Sequence, residues 1–157
     1  MRKLFLFAAV LLLRSVSVSA ENNIDRAVRF VDALEVSDME TVESLMADEF
    51  VFEDPTFGTK HEGRDNVLKL YKGYIGDARN MHKYLLEGYE SANTVVLRYS
   101  YYVEMNVAAK DKPKDYLPIM GTGMRVIDFN KDSEIVRHID VADYGVIQKA
   151  MTARAAK

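Results

Sequence analysis

At about residue 80 the apolar pattern of this chain changes its period, and that switch limits the folds open to it more than any other feature. Before it, Ile24, Ala27, Val28, Val31 and Leu34 recur at the spacing of one helix face. This predicts an amphipathic helix over 23–36, with Asn23 as its cap and Phe30 bordering the stripe. Ser37 and Glu40 fit a capping box, and Met39, Val42, Leu45 and Met46 supply the buried face of a second helix. Phe50 to Glu53 reads as a short strand stopped by Pro55; a loop through Gly58 and Gly63 then leads to a third helix with Val67, Leu68, Tyr71, Tyr74 and Ile75. After the switch, alternation with period two predicts strands over 83–91, 94–107, 116–129 and 135–143, with tight turns at 91–93 and 130–133. Helices first and strands second predict an α+β domain whose helices cover one face of a curved antiparallel sheet. A charged loop is expected at 110–114, a last short helix at 145–151 and a frayed end at 152–157.

The first twenty residues do not fit that domain. Arg2 and Lys3 precede an apolar run from Leu4 to Leu13, and small residues follow up to Val18, Ser19 and Ala20. That is the layout of a signal peptide cleaved after Ala20, which leaves 21–157 as one exported domain, periplasmic or extracellular. Arg14 interrupts the run well short of the roughly 20 apolar residues a membrane span needs, so no span is expected after cleavage. With residues 1–20 removed, 18 basic side chains stand against 24 acidic ones, a net charge of −6. A surface of that sign repels phosphate backbones, so nucleic acid is not an expected partner. The absence of Cys excludes disulfides, a thiolate nucleophile and a zinc–thiolate site.

Few residues have the setting that chemistry needs. Strand alternation puts Asp54 on the side of Phe50 and Phe52, with Glu53 turned the other way. A carboxylate against an apolar wall is suited to general-base work, although aspartate before proline is also a common turn former. His138 and Asp140 stand two apart on the last strand and share a face. There the carboxylate would raise the imidazole pKa and favour proton relay, unless the two are a solvated polar pair. Asp143 alternates to the other face and is the weaker candidate. Tyr99 and Tyr101 share a face with Val95, Leu97, Val103 and Met105, while Arg98, Ser100, Tyr102 and Glu104 share the other. The alternation leaves open which of these faces lines a pocket. His61 and His82 are isolated, so no metal is expected. Gly121 and Gly123 flank Thr122 inside a strand, which marks a bend or bulge rather than a phosphate loop, and no cofactor is expected.

The order helix, helix, strand ending Phe52-Glu53-Asp54-Pro55, Gly63, helix through Tyr71, then sheet resembles the nuclear transport factor 2-like superfamily. Its ketosteroid isomerase and SnoaL-like polyketide cyclase branches are the most similar. The resemblance implies a cone-shaped, curved antiparallel sheet with three N-terminal helices over a pocket. It implies Asp54 as the general base and Tyr71 as a helix tyrosine of the hydrogen-bond network. Phe30 stands in place of the oxyanion-binding tyrosine, and Met120, Thr122 or Met124 in place of a protonated aspartate, so the usual oxyanion donors are missing. Asp140 matches a pocket aspartate of the SnoaL-like and limonene-epoxide-hydrolase-like branches. Ser100 and Tyr102 stand where the hydrolases carry Arg and Asp.

These readings make Asp54, Asp140 and His138 the candidate catalytic residues and Phe30, Phe52, Tyr71, Tyr102 and Thr122 the candidate ligand contacts. The expected function is binding of a small apolar or carbonyl-bearing molecule, with proton transfer beside the carbonyl if the domain is an enzyme. The alternative is a non-catalytic binding or dimerisation module, with the free, tyrosine-bearing sheet face as a homodimer interface.

Overall fold

A computed structural model of the chain describes residues 21–56, 58–76, 78–108 and 113–143, with Gly145, Gln148 and Thr152. The expected signal peptide, most of the charged loop, and most of the last helix and tail lie outside the described residues.

Three helices and six strands follow in the order α1 (Asn23–Glu35), α2 (Met39–Leu45), β1 (Met46–Asp54), β2 (Thr59–Glu62), α3 (Arg64–Gly76), β3 (Ala78–Ser91), β4 (Thr94–Asn106), β5 (Tyr116–Phe129) and β6 (Ile135–Ala142). The α+β class and the N-terminal helices are as the periodicity predicted. Helix boundaries shift by one residue, because the cap is set by whichever side chain reaches a free N–H. Asn22, not Asn23, accepts from the Asp25 amide at 2.8 Å, and Asp38, not Ser37, accepts from the Thr41 amide at 3.1 Å. Ser37 instead takes the left-handed turn between the helices, at φ 63°.

The strands form one open six-stranded sheet in the order β2-β1-β6-β5-β4-β3. It is mixed rather than wholly antiparallel: β1 runs parallel to β6, with Phe52 opposite His138, and every other pair is antiparallel. β1 is longer than expected and bulges between Met46 and Val51, which bends it around the helices. β2 escaped the pattern because Thr59-Lys60-His61-Glu62 has no apolar alternation; it is a polar edge strand paired with the end of β1. β3 begins at Ala78 rather than 83.

α1 packs on β3 and β4, and α3 on β1, β2 and β3. Between helices and sheet lies the core, with Phe30, Val42, Leu45, Phe50, Val67, Val95, Leu97, Ile127 and Ile135 fully or almost fully buried. Each comes from the helix stripes or from one parity of its strand, so binary patterning has become packing. No described helix is long and apolar enough to cross a membrane.

Candidate active site

The concave face of the sheet and the inner side of α3 enclose a cavity of about 420 Å³, a size suited to a small organic molecule. Its walls are largely apolar: Leu34, Phe52, Leu70, Met81, Val103 and Ile119 all contribute. The polar groups concentrate at Asp54, Tyr71, Lys83, Tyr99, Arg125, His138 and Asp140.

Sheet register builds this polar cluster. Arg125 on β5 pairs with Asp140 on β6, and both side chains take the concave face. Arg125 Nη2 lies 3.5 Å from Asp140 Oδ2, and the Tyr99 hydroxyl donates to Asp140 Oδ1 at 2.6 Å. Burial disfavours the Arg125 guanidinium, but the Asp140 carboxylate and Tyr99 more than restore it, so it stays charged. Burial likewise pushes the Asp140 carboxyl up; Arg125 and the Tyr99 hydrogen bond outweigh it and hold the group below its ordinary range. Arg125 Nε and Nη1 are buried without a hydrogen-bond partner among the described residues. Two donor nitrogens of a fixed cation are thus unspent.

β4 supplies Tyr99 and Tyr101, and glycines opposite them make room. Tyr99 pairs with Gly123 and Tyr101 with Gly121. A Cβ on Gly123 would lie 2.7 Å from the Tyr99 hydroxyl, and one on Gly121 2.8 Å from the Tyr101 hydroxyl. β4 and β5 stay in register throughout, so these glycines mark no bulge between the two strands. They let two phenol rings lie across the neighbouring strand.

His138 is buried, with the Tyr71 hydroxyl 2.7 Å from its Nδ1. Phe52 stacks obliquely on it at 5.4 Å and Phe30 edge-on at 5.5 Å. Asp140 acts to raise the imidazole pKa, as expected, but the net shift is downward. Burial, reinforced by the Arg125 charge, prevails over Asp140 and pushes His138 down to about 3, so the ring is neutral. When the hydroxyl donates to Nδ1, the ring proton sits on Nε2, which is buried without a partner among the described residues. Burial also pushes the Tyr71 phenol well above its ordinary value.

Asp54 closes β1 beside Phe52 and lines the cavity, as alternation predicted, while Glu53 turns away to Arg137 at 2.8 Å. Its Oδ1 also accepts from the Thr56 amide at 3.0 Å, so the turn-forming and cavity-lining roles coexist. Asp54, Phe52, Tyr71, His138 and Asp140 are therefore brought together around one space. Three sequence candidates are not. Phe30 is wholly buried one layer behind the wall, against Phe50, Tyr71 and His138. Tyr102 and Thr122 occupy the opposite parity of β4 and β5 from the cavity-lining residues, so they face away; Tyr102 donates to Glu104 at 2.9 Å and Thr122 is exposed. Asp143 is exposed at the end of β6. Among the described residues no group of three or more His, Asp or Glu side chains is placed to hold a metal ion.

The sequence matches the SnoaL-like domain over residues 27–138. This chain belongs to the SnoaL-like domain family. The open, curved sheet under three helices is the cone of the nuclear transport factor 2-like fold, as the resemblance implied. A SnoaL-like polyketide cyclase candidate from Shewanella denitrificans has the same fold, with a TM-score of 0.75 at 17% identity over 83% of this chain and 97% of its own. An LEH-like epoxide hydrolase from M. tuberculosis matches with a TM-score of 0.67 at 17% identity, over 83% and 90%. A protein of ketosteroid isomerase-like fold from Catenulispora acidiphila, solved with trimethylamine, matches with a TM-score of 0.64 at 15% identity, over 80% and 92%. No curated protein matches this SnoaL-like chain in sequence.

Two cationic residues of the SnoaL-like cavity were missed from the sequence. Arg125 stands at the inward parity of β5, between Gly123 and Ile127, and Lys83 at that of β3, between Met81 and Leu85. A charge at the parity of apolar neighbours was the available signal. The matched position for a hydrolase-type arginine on β4 holds Ser100, and the arginine that meets Asp140 comes from the adjacent strand instead.

Proposed function

We propose that this domain binds a small apolar, carbonyl-bearing molecule in the cone and moves a proton at the carbon beside the carbonyl, as an isomerase or cyclase does. The observation that carries the reading is an apolar cavity in which two carboxylates are differently employed. Asp140 is committed to Arg125 and Tyr99, and its role is to hold the guanidinium. Asp54 takes the general-base role at the other carboxylate position. As it removes the proton, the electron pair of the C–H bond moves onto the carbonyl oxygen. Arg125, the fixed cation in the cavity wall, stabilises that oxyanion, in place of the tyrosine that Phe30 replaces. Tyr71 and His138 are both neutral, and with the Tyr71 hydroxyl donating to Nδ1 it is the His138 Nε2–H that is left as a further donor. Tyr102 drops out of this set because it faces away from the cavity.

Deuterium exchange at the α-carbon of small cyclic ketones in D2O, followed by NMR, tests the proposal. Asp54→Asn is expected to slow exchange by about 10²-fold or more. Equal exchange by the variant sinks the base assignment and leaves a non-catalytic binding module.

In the same reading the outer face of the sheet pairs two copies of the chain. Tyr84 is 67% exposed there, Met120 67% and Met124 44%. Native mass spectrometry is expected to show a dimer that Met120→Glu dissociates, and a monomeric parent protein refutes the pairing. Export is part of the proposal too: the mature protein should begin at Glu21, as an intact-mass measurement on expressed protein will show.

A further inference from the structure

Lys83 is a cation that the proposed reaction does not use. Its half-buried side chain comes from the inward face of β3 into the cavity wall, with Nζ 5.9 Å from the centroid of the Tyr99 ring. Its own backbone N–H donates to Glu35 Oε1 at 3.2 Å, which fixes β3 against α1 at this point. Among the described residues no salt bridge holds its ammonium, whereas Arg125, two strands away on the same sheet face, is paired with Asp140. An amine so placed is screened from bulk water, unclaimed by a carboxylate, and opens on a space of about 420 Å³ with apolar walls.

From this geometry we infer that Lys83 is a nucleophilic amine which captures aldehydes or reactive ketones entering the cavity as an imine. The Nζ lone pair attacks the carbonyl carbon, the π pair moves to oxygen, and a proton passes from nitrogen to that oxygen to give a carbinolamine. Loss of one water then forms the C=N bond, so no oxidant or reductant is consumed. The site supports this with a largely neutral amine. Burial first, and the Arg125 charge second, push the Lys83 ammonium down to about 7 against the opposing pull of Asp140, Glu35 and Asp32. At pH 7 about half of such an amine is neutral, against fewer than about 1 in 10³ of ordinary lysines. The charged groups around it come from every neighbouring element: Asp32 and Glu35 from α1, Arg125 from β5 and Asp140 from β6, with the Tyr99 ring from β4.

The inference rests on the cavity admitting a carbonyl compound but not on Asp54 acting as a base. Benzaldehyde is the probe and benzyl alcohol its carbonyl-free control. The full chain is incubated at pH 7 with benzaldehyde and cyanoborohydride, which reduces an imine to a stable secondary amine, and the adduct is located by peptide mass mapping. The expected result is one saturable adduct on Lys83, formed at least tenfold faster than on any other lysine. Its rate should rise with pH to a plateau above about pH 7, and Lys83→Met and Lys83→Arg should both abolish it. Saturation-transfer NMR with benzyl alcohol reports binding independently. Benzyl alcohol binding with labelling spread evenly over the lysines overturns the Lys83 assignment alone. Failure of benzyl alcohol to bind, together with unselective labelling, overturns both this inference and the ligand reading beneath it.

Discussion

Gly123→Ala perturbs the candidate site without replacing any polar group, and its cost is readable from the structure. The added methyl would sit 2.7 Å from the Tyr99 hydroxyl oxygen, 2.8 Å from its Cζ and 3.0 Å from the Val141 carbonyl oxygen. The ring has no easy retreat. It is buried, its hydroxyl donates to Asp140 at 2.6 Å, and the Arg125 guanidinium carbon lies 5.1 Å from its centroid. Moving it breaks a hydrogen bond to a charged acceptor, at about 1.5–3 kcal/mol, and overpacking adds about 1–3 kcal/mol. The expected destabilisation is thus about 2.5–6 kcal/mol, a fall in Tm of about 8 °C or more for a domain of this size. Gly121→Ala is the internal comparison. The added methyl meets Tyr101 at 2.8 Å, but that hydroxyl has no partner among the described residues, so its ring shifts more cheaply and the loss should be smaller. Urea unfolding of Gly123→Ala, Tyr99→Ala and the double variant decides the matter. With the ring gone, the two closest contacts of the methyl go with it and the Val141 carbonyl remains, so a coupling of at least about 1 kcal/mol is expected. Additivity of the two single changes to within about 0.5 kcal/mol refutes the argument.

Acid sensitivity should trace to His138. Burial pushes its imidazole down to about 3 in the folded protein, against 6.5 for an exposed histidine, so between those values the unfolded chain binds the extra proton and stability falls on acidification. The slope from this group is up to about 1.4 kcal/mol per pH unit, and His138→Gln should flatten it; identical pH profiles of stability for the two proteins contradict the buried neutral ring. Gly73→Ala, in α3 with nothing within 4 Å of the new methyl, should stabilise by about 0.5–1 kcal/mol, and a loss in thermal unfolding contradicts that. Asp38→Ala removes the α2 cap and its bond to the Thr41 amide at 3.1 Å, and should cost about 1 kcal/mol, whereas Ser37→Ala should leave that cap intact.

Much of the architecture was legible because it is local. The stripe from Ile24 to Leu34 is α1, the apolar positions Val42 and Leu45 are the buried side of α2, and the alternating runs are β3 to β6, because a regular element must turn one set of side chains away from water. Misses came where local signals compete or vanish. Ser37 and Asp38 are both fair caps, and the geometry of the turn gave the role to Asp38. β2 has no apolar alternation and exists only because β1 offers it an edge.

At the site the sequence carried half of the information. Alternation grouped Asp54 with Phe50 and Phe52, His138 with Asp140, and Tyr99 with Tyr101 against Ser100 and Tyr102, and each grouping appears in the fold. A period of two is unchanged when the faces of a strand are exchanged, so it does not say which group looks inward. That choice fell to the whole sheet: with α1 and α3 on one side, the parity of Tyr99 faces the cavity, and Tyr102 and Thr122 are turned outward. Partners on different strands were equally out of reach. The parallel pairing of β1 with β6 brings Phe52 beside His138, and the register of β5 on β6 gives Asp140 its arginine. The local chain thus determined the helices, the strands and the parity of each candidate residue. Only the tertiary structure decided which parity meets the ligand space and which charges meet there, because strand order and register are settled by burial summed over elements far apart in sequence.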